Sequence, residues 1–400
     1  MSHPVVVVGA GLSGLYASHL LAQAGQHVLL VEARERLGGR ILSQGPTQSG
    51  HRVDLGPSWF WPGMNPRTQR LLAKLGLASF PQHTHGAAVI EGRDGKLLKH
   101  QSAWEQTPSS YRIAGGTQAL TDALAAQLGD HVHVQSQTRV HAMKMRPHAV
   151  ELSLEDARGR WQQLATQAIL TLPPRLMAQD VAFEPAWPEA VVKDMRATPT
   201  WMAGQAKFVA AYPSAFWREA GLSGDGMSHR GPLSEIHDAS DASGEVAALF
   251  GFVGASPSYR GGIGHEALKA QAMAQLVRMF GAQAANPVWT ALQDWAQEPL
   301  TAAKEDQRPL GHHPLYEPAE VPPPWAQRVW LAGTERSPNY GGYIEGALEA
   351  AELAVQGFLE NSKTPGLHGV GEDQTIAQNL ATTPAPASDP MQPQTTGETL

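Results

Sequence analysis

The chain has 400 residues, 42% of them hydrophobic, with a formal net charge of −7 at pH 7, which is enough for two packed domains. The acidic balance and singly scattered lysines and arginines argue against nucleic acid and against an anionic membrane surface. The absence of cysteine excludes disulfides, thiolate metal sites and a cysteine nucleophile.

Val5 to Val8 form an apolar β-branched run that suits a parallel strand buried on both faces. Pro4 leads straight into it, with no cleavable leader, and no run approaches the ~18 apolar residues of a membrane span, so a cytoplasmic protein is expected. Leu12, Leu15, Tyr16, His19, Leu20 and Gln23 follow helical spacing, with Gly25 as the stop. Val28 to Val31 repeat the apolar run and end at Glu32, which completes a βαβ unit. Thr117 to Leu128 reads as a helix, and Val132, Val134 and Val140 lie on strands. Ile169 to Leu172 is a buried strand stopped by Pro173 and Pro174. Lys207 to Tyr212 and Glu245 to Val253 read as strands of a second sheet, and His265 to Phe280 as a helix. Val329 to Ala332 is a last apolar strand, followed by a helix from about Gly342 to Leu359. From Asn361 onward the composition is too polar to order itself, and a disordered tail over 361–400 is expected.

Gly9-Ala10-Gly11-Leu12-Ser13-Gly14 reads G-x-G-x-x-G. Gly9 permits the tight turn after the strand, Gly11 lets the backbone approach a pyrophosphate, and Gly14 lets helix and sheet pack closely. The helix N-terminus opens its N–H groups to the phosphates. Glu32 stands about twenty residues on, where it can accept bonds from ribose hydroxyls. Beyond it come Ala33, Arg34, Glu35, Arg36, Leu37, Gly38, Gly39 and Arg40. A second bare-backbone turn flanked by arginines suits a dinucleotide longer than NAD, such as FAD. The competing reading is a solvated charge run in a surface loop.

Taken together, these motifs resemble the flavin amine oxidase family, which includes monoamine, polyamine and L-amino acid oxidases. The resemblance spans roughly Val5 to Leu359. Val53-Asp54-Leu55-Gly56-Pro57-Ser58-Trp59 is similar to the segment passing beside the flavin. Tyr111 to Leu120 resembles the glycine turn that opens a helix, and Val140 sits where the family contacts adenine through its backbone. Leu331-Ala332-Gly333-Thr334-Glu335 and Gly341-Gly342-Tyr343-Ile344-Glu345-Gly346-Ala347 resemble the closing signature. The resemblance implies that Glu335 holds the ribityl or phosphate end of FAD. It also implies that the N–H groups of Tyr343 and Ile344 face the flavin pyrimidine, where a helix N-terminus stabilises negative charge on the reduced ring.

Lys207, followed by Phe216-Trp217-Arg218, resembles the family's lysine that bonds flavin N5 through a water; otherwise it is a solvated lysine on a sheet edge. Trp295 matches the tryptophan beside the flavin, and Tyr343 one of two aromatics that wall the amine's approach. The other should lie about ten residues past Trp295, where this chain has Glu305. That departure removes one ring and points to a cationic or polar substrate. Glu235, His237 and Asp238 are further pocket candidates. His131 and His133 share a strand face, but no carboxylate pattern accompanies them, so no metal is expected. Without cysteine, FAD is expected to be held non-covalently.

The expected fold is α/β: a Rossmann-like FAD-binding domain from residues 1–85, 115–180 and 290–360, with an inserted α+β substrate domain of mixed sheet from 86–114 and 181–289. The reaction implied is oxidation of a small-molecule amine, with hydride transfer to flavin N5, hydrolysis of the imine, and reoxidation by O2 to give H2O2. Oxidation of a C–C bond by a related dehydrogenase or desaturase, or FAD binding without turnover, are the alternatives. The oligomeric state is not readable.

Overall fold

The computed structural model describes residues 3–46, 51–101, 108–308, 310–317 and 320–362, so the tail expected to be disordered lies, beyond Ser362, outside the described residues. The nucleotide-type sheet has five strands in the order Val329–Leu331, Ala168–Leu170, Val5–Val8, Val28–Val31, Val132–Gln135. Every pairing is parallel. Alternate residues of a strand face opposite ways, and both faces here are covered. Val5, Val7 and Leu30 pack under the helices Leu12–Gln23 and Ile344–Ser362, while Val6, Val8, Leu29 and Val31 pack against a second layer containing Val150, Leu152 and Leu154. This two-sided burial explains the unbroken valine run at the start of the chain.

That second layer is a four-stranded sheet ordered Gly159–Ala165, Val150–Asp156, Arg139–Met145, Ala182–Glu184, its last pairing parallel. A third sheet has seven strands in the order Trp289–Asp294, Ala206–Tyr212, Ala247–Val253, Leu233–Asp238, Leu222–Ser228, Ala87–Glu91, Leu97–His100. It is antiparallel except where Leu222–Ser228 runs parallel to Ala87–Glu91. One face packs Phe208, Leu233 and Leu249 against Leu268, Ala272 and Leu276 of helix His265–Phe280. The other packs Val209, Ala211 and Phe250 against Val53, Leu55 and Trp295.

The fold is thus mixed α/β, with a parallel Rossmann-like sheet and a separate mixed sheet. The sheets divide the chain slightly differently from the sequence expectation. Trp289–Asp294 belongs to the seven-stranded sheet, past the expected return at 290. Ala182–Glu184 pairs with the four-stranded sheet, and Met195 of helix Glu189–Ala197 packs beneath it, past the expected exit at 180. The strand expected from Glu245 begins at Ala247 because Asp241 and Val246 close a turn before it.

The last helix also reaches back to the start of the chain. Glu345 is buried and accepts from the backbone N–H groups of Arg67 and Thr68, both at 2.9 Å, and from Thr68 Oγ1 at 2.8 Å. A carboxylate there satisfies free donors at the N-terminus of helix Pro66–Lys74 and complements its dipole. Among the described residues, no helix is long and apolar enough to cross a membrane.

Candidate active site

A cavity of about 570 Å³ runs between the parallel sheet and the seven-stranded sheet. The residues expected to touch cofactor or substrate line it, except Gly14, Gly333, Glu335, Glu305 and the pocket candidates His237 and Asp238.

At the nucleotide end, backbone does the shaping. Gly9 has φ +97°, and a Cβ on Gly14 would lie 1.8 Å from the Gly9 carbonyl oxygen, so any side chain would push helix and turn apart. Helix Leu12–Gln23 has no side-chain cap, which leaves its first N–H groups turned to the cavity. Ser13 Oγ donates to the Ala332 carbonyl and joins this helix to the end of the last strand. Glu32 is buried and accepts from the N–H groups of Ala10 and Arg34, each at 2.8 Å, so its carboxylate is fixed before any ligand arrives. The second glycine turn docks on the first, Gly38 N–H donating to the Ala10 carbonyl at 2.8 Å. The arginines of this stretch divide their work. Arg36 donates to the carbonyls of Leu37, Gly39 and Ile41 and staples its own loop, whereas Arg34 and Arg40 face the cavity. This is not a solvated charge run.

Glu335 does not reach the cavity directly. Its carboxylate is fully buried and ion-paired to Arg40 Nη1 at 2.8 Å, and otherwise has no hydrogen-bond donor among the described residues. Arg40 is the cavity-facing member of the pair. Thr334 Oγ1 donates to the Tyr343 carbonyl at 2.9 Å, which ties the last strand to the turn before the last helix. The Tyr343 N–H is engaged by the Tyr340 carbonyl at 3.1 Å, so the donor free of intrahelical partners at this turn is at Ile344, not at both residues.

Lys207 is the second residue of strand Ala206–Tyr212 and is buried. Nζ donates to the Asp54 carbonyl at 3.2 Å, the Gly56 carbonyl at 2.7 Å and Ser58 Oγ at 2.8 Å, and lies 4.2 Å from the centre of the Phe250 ring. Among the described residues its hydrogen bonds all go to segment 54–58, and its burial on an inner strand removes the reading of a solvated lysine on a sheet edge. Burial pulls its pKa down to about 7; Asp54 opposes that fall and Arg112 adds to it. The same segment is held from behind. Asp54 Oδ1 accepts from Ser43 Oγ at 2.6 Å, Thr117 N–H at 2.7 Å and Thr117 Oγ1 at 2.8 Å, which gives the Tyr111–Leu120 motif its structural purpose. Trp295 lines the cavity and donates its indole N–H to the Leu55 carbonyl at 3.0 Å.

Glu305 is exposed, on the outer side of the 3-10 turn Lys304–Gln307. Its neighbour Asp306 turns inward, ion-paired with Arg175 and accepting from Thr200 N–H at 3.0 Å. That bond pins the loop carrying Trp201, which sequence counting missed. Trp201 lines the cavity together with Tyr343 and packs so closely on Gly342 (φ +83°) that a Cβ there would be 2.7 Å away. His313 joins the two rings, stacked on Tyr343 at 4.9 Å and edge-on to Trp201 at 4.8 Å. The next residue, Met202, holds a positive φ of 64°, a strained backbone in the cavity wall. A tryptophan five residues ahead of the apolar strand Ala206–Tyr212 was a weak sequence cue.

Of the three other pocket candidates, Glu235 lines the cavity, His237 lies behind it, and Asp238 is a buried partner of Trp217 and Arg218.

The chain matches the family model for flavin containing amine oxidoreductases over residues 97–358, and a model for a NAD(P)-binding Rossmann-like domain over residues 7–75. Its relatives include the flavin-containing amine oxidase A of Bos taurus, 23% identical over 464 residues that cover 89% of this chain and 84% of the relative. The L-amino acid dehydrogenase of Synechocystis sp. is 22% identical over 462 residues, covering 88% and 94%. Among solved structures, putrescine oxidase bound to putrescine superposes with a TM-score of 0.71 at 20% identity, over 90% of this chain and 99% of the other. Cyclohexylamine oxidase from Brevibacterium oxydans gives 0.72 at 20% identity, over 91% and 100%. At that identity the superpositions speak to fold alone. The glycine turns, the docked clamp and the last helix stand on one cavity, and the family match covers most of the chain: the protein belongs to the flavin-containing amine oxidoreductase family and is a flavin-dependent enzyme of that kind.

Proposed function

We propose that the protein holds FAD without a covalent bond and oxidises a small amine. The observation that carries this reading is the single cavity of about 570 Å³, with a pyrophosphate-type turn at one end and Lys207, Trp201 and Tyr343 at the other. The residues fit the cofactor. The uncapped helix at Leu12 suits the pyrophosphate, Glu32 the ribose, and Arg40, held by the buried Glu335 behind it, the phosphate or ribityl end. Ile344, opening the last helix, suits the pyrimidine edge. No cysteinyl link can form.

When bound, the flavin supplies two-electron chemistry: hydride removal from the carbon bearing nitrogen, leaving an imine that hydrolyses to a carbonyl, with O2 as the acceptor that becomes H2O2. The protein's share is placement and electrostatics. Trp201 and Tyr343 confine the amine and exclude water. Lys207 holds segment 54–58 in place, and in its protonated form its charge disfavours a second cation beside it, which favours the neutral amine that hydride loss requires.

The purified protein should show a flavin absorption spectrum, release FAD on denaturation, bleach under anaerobic conditions with an amine, and form H2O2 in air. A flavin that no member of an amine panel bleaches would sink the amine reading.

A further inference from the structure

Asp306 stands outside the cavity lining, yet it is buried, 4% exposed, on the 3-10 turn Lys304–Gln307. Both carboxylate oxygens are engaged. Oδ1 takes the Arg175 ion pair and the Thr200 N–H at 3.0 Å, and Oδ2 accepts from Ala303 N–H at 2.9 Å. Arg175 belongs to helix Pro174–Asp180, which follows the cavity residues Leu172 and Pro173, and its Nε donates to the Arg196 carbonyl at 2.9 Å. A buried charge persists where an opposite charge and several donors surround it. The aspartate thus joins three pieces of chain: its own turn, that helix, and the loop 198–205 between helix Glu189–Ala197 and strand Ala206–Tyr212.

The loop carries a conformational cost. Met202 holds φ +64°, and such backbone persists only where its surroundings impose it. Both ends are tied. At the far end Arg260 Nη2 donates to the Gly204 carbonyl at 2.9 Å, and Trp295 N–H to the Gln205 carbonyl at 3.0 Å. At the near end Tyr316 Oη donates to the Pro199 carbonyl at 3.0 Å, and Asp306 takes the Thr200 N–H. That last bond is one residue from Trp201 and has a charged acceptor, the stronger kind. Between the ties, Trp201 and Met202 line the cavity, with Trp201 pressed on Gly342 before the last helix.

We propose that Asp306 is a positioning residue: by holding the Thr200 N–H against the strain at Met202 it keeps Trp201 on Gly342, and so sets how tightly the amine is confined. This rests on the amine oxidase reading. Asp306 acts only through Trp201. Its loss therefore weakens amine binding far more than it slows flavin reduction, and adds nothing once Trp201 is gone.

The test is a double-substitution cycle of Asp306→Ala and Trp201→Ala in the flavin-loaded enzyme, read by anaerobic stopped-flow reduction with an amine that bleaches the wild type. Each single substitution should raise the apparent dissociation constant of the amine by about tenfold or more and lower the limiting rate of reduction by less than about threefold. The double variant should match Trp201→Ala within about threefold. FAD affinity, titrated by fluorescence, should stay near that of the wild type throughout. Losses that multiply in the double variant overturn the proposal. So does a Trp201→Ala enzyme that binds the amine as tightly as the wild type, and so does a fall in FAD affinity in Asp306→Ala. Because Asp306→Ala leaves Arg175 without its ion-pair partner, Arg175→Met combined with Asp306→Leu repeats the cycle with no charge left behind. If neither version folds with flavin while Trp201→Ala does, Asp306 serves the fold as a whole and the proposal falls. No bleaching of the wild type by any amine removes the amine oxidase reading and the proposal with it; bleaching with multiplying losses removes only the role given to Asp306.

Discussion

The two ends of the cavity are built by different physics. At the nucleotide end, backbone meets ligand: glycines at close contacts, a bare helix N-terminus, and a carboxylate locked by two N–H groups. At the substrate end, side chains do the work, and they come from segments far apart in sequence, including Trp59, Trp201, Lys207, Glu235, Phe252 and Tyr343. The first design tolerates almost no substitution because nothing can move aside. The second can be retuned one side chain at a time, which is how a common cofactor site can serve many amines.

The comparison breaks most visibly at Gly14. Gly14→Ala forces a methyl into the Gly9 carbonyl, and FAD affinity should fall by roughly 100-fold or more with the far-ultraviolet spectrum of the fold retained. Fluorescence titration of apoprotein with FAD measures this, and undiminished affinity would show that the turn is not the pyrophosphate site. Next comes Lys207→Met, which should slow flavin reduction or reoxidation by more than about tenfold. Stopped-flow absorbance reads both half-reactions; unchanged rates in both would leave the lysine as a structural tie for segment 54–58 and nothing more.

The smallest effect is on stability and concerns His237. Burial pulls its pKa down, but the hydrogen bonds and charges of Asp225 and Glu235 outweigh it and raise the value to about 9 in the folded protein, against an ordinary value near 6.5. Between these values the folded chain binds a proton that the unfolded chain has lost, so stability falls as pH rises. The contribution, roughly 3 kcal/mol from a shift of this size, is complete below about pH 6.5 and lost by about pH 9. His237→Gln should flatten that part of the melting temperature curve by a few degrees. A variant curve parallel to the wild type across this window would contradict a shared proton between Asp225, His237 and Glu235.

Most of the first end was legible in the sequence, and little of the second was. Gly9, Gly11, Gly14, Gly38 and Gly39 are readable because a turn against a phosphate demands missing side chains at fixed spacing. Lys207 and Tyr343 came from resemblance to the family. Trp201 stands on a loop pinned by Asp306, and the pairing of Glu235 with His237 and Asp225 depends on a sheet register that shifts at an irregularity between Leu233 and Glu235, neither of which periodicity reveals. Counting ten residues past Trp295 led to Glu305, but the 3-10 turn there sends Asp306 inward and Glu305 out. Glu335 was expected on the cofactor; it lies behind Arg40, which faces the cavity. Glu305, from which a cationic or polar substrate was expected, is exposed outside the cavity, whose wall carries Glu235.

The order of the parallel sheet has a consequence for how the protein is made. The opening strand Val5–Val8 is flanked within two positions by Val329–Leu331, and its helix is tied through Ser13 to Ala332 and overlaid by the last helix. A chain emerging from the ribosome therefore carries its glycine turn first and completes the surrounding layer last. Until about residue 360 has emerged, the side of helix Leu12–Gln23 that meets the last helix has no cover, and exposed surface of that kind is what chaperones bind and what aggregates when they are scarce. Cofactor loading therefore waits on helix Ile344–Ser362, and truncation before that helix should cost the nascent protein its flavin before it costs the seven-stranded sheet its fold.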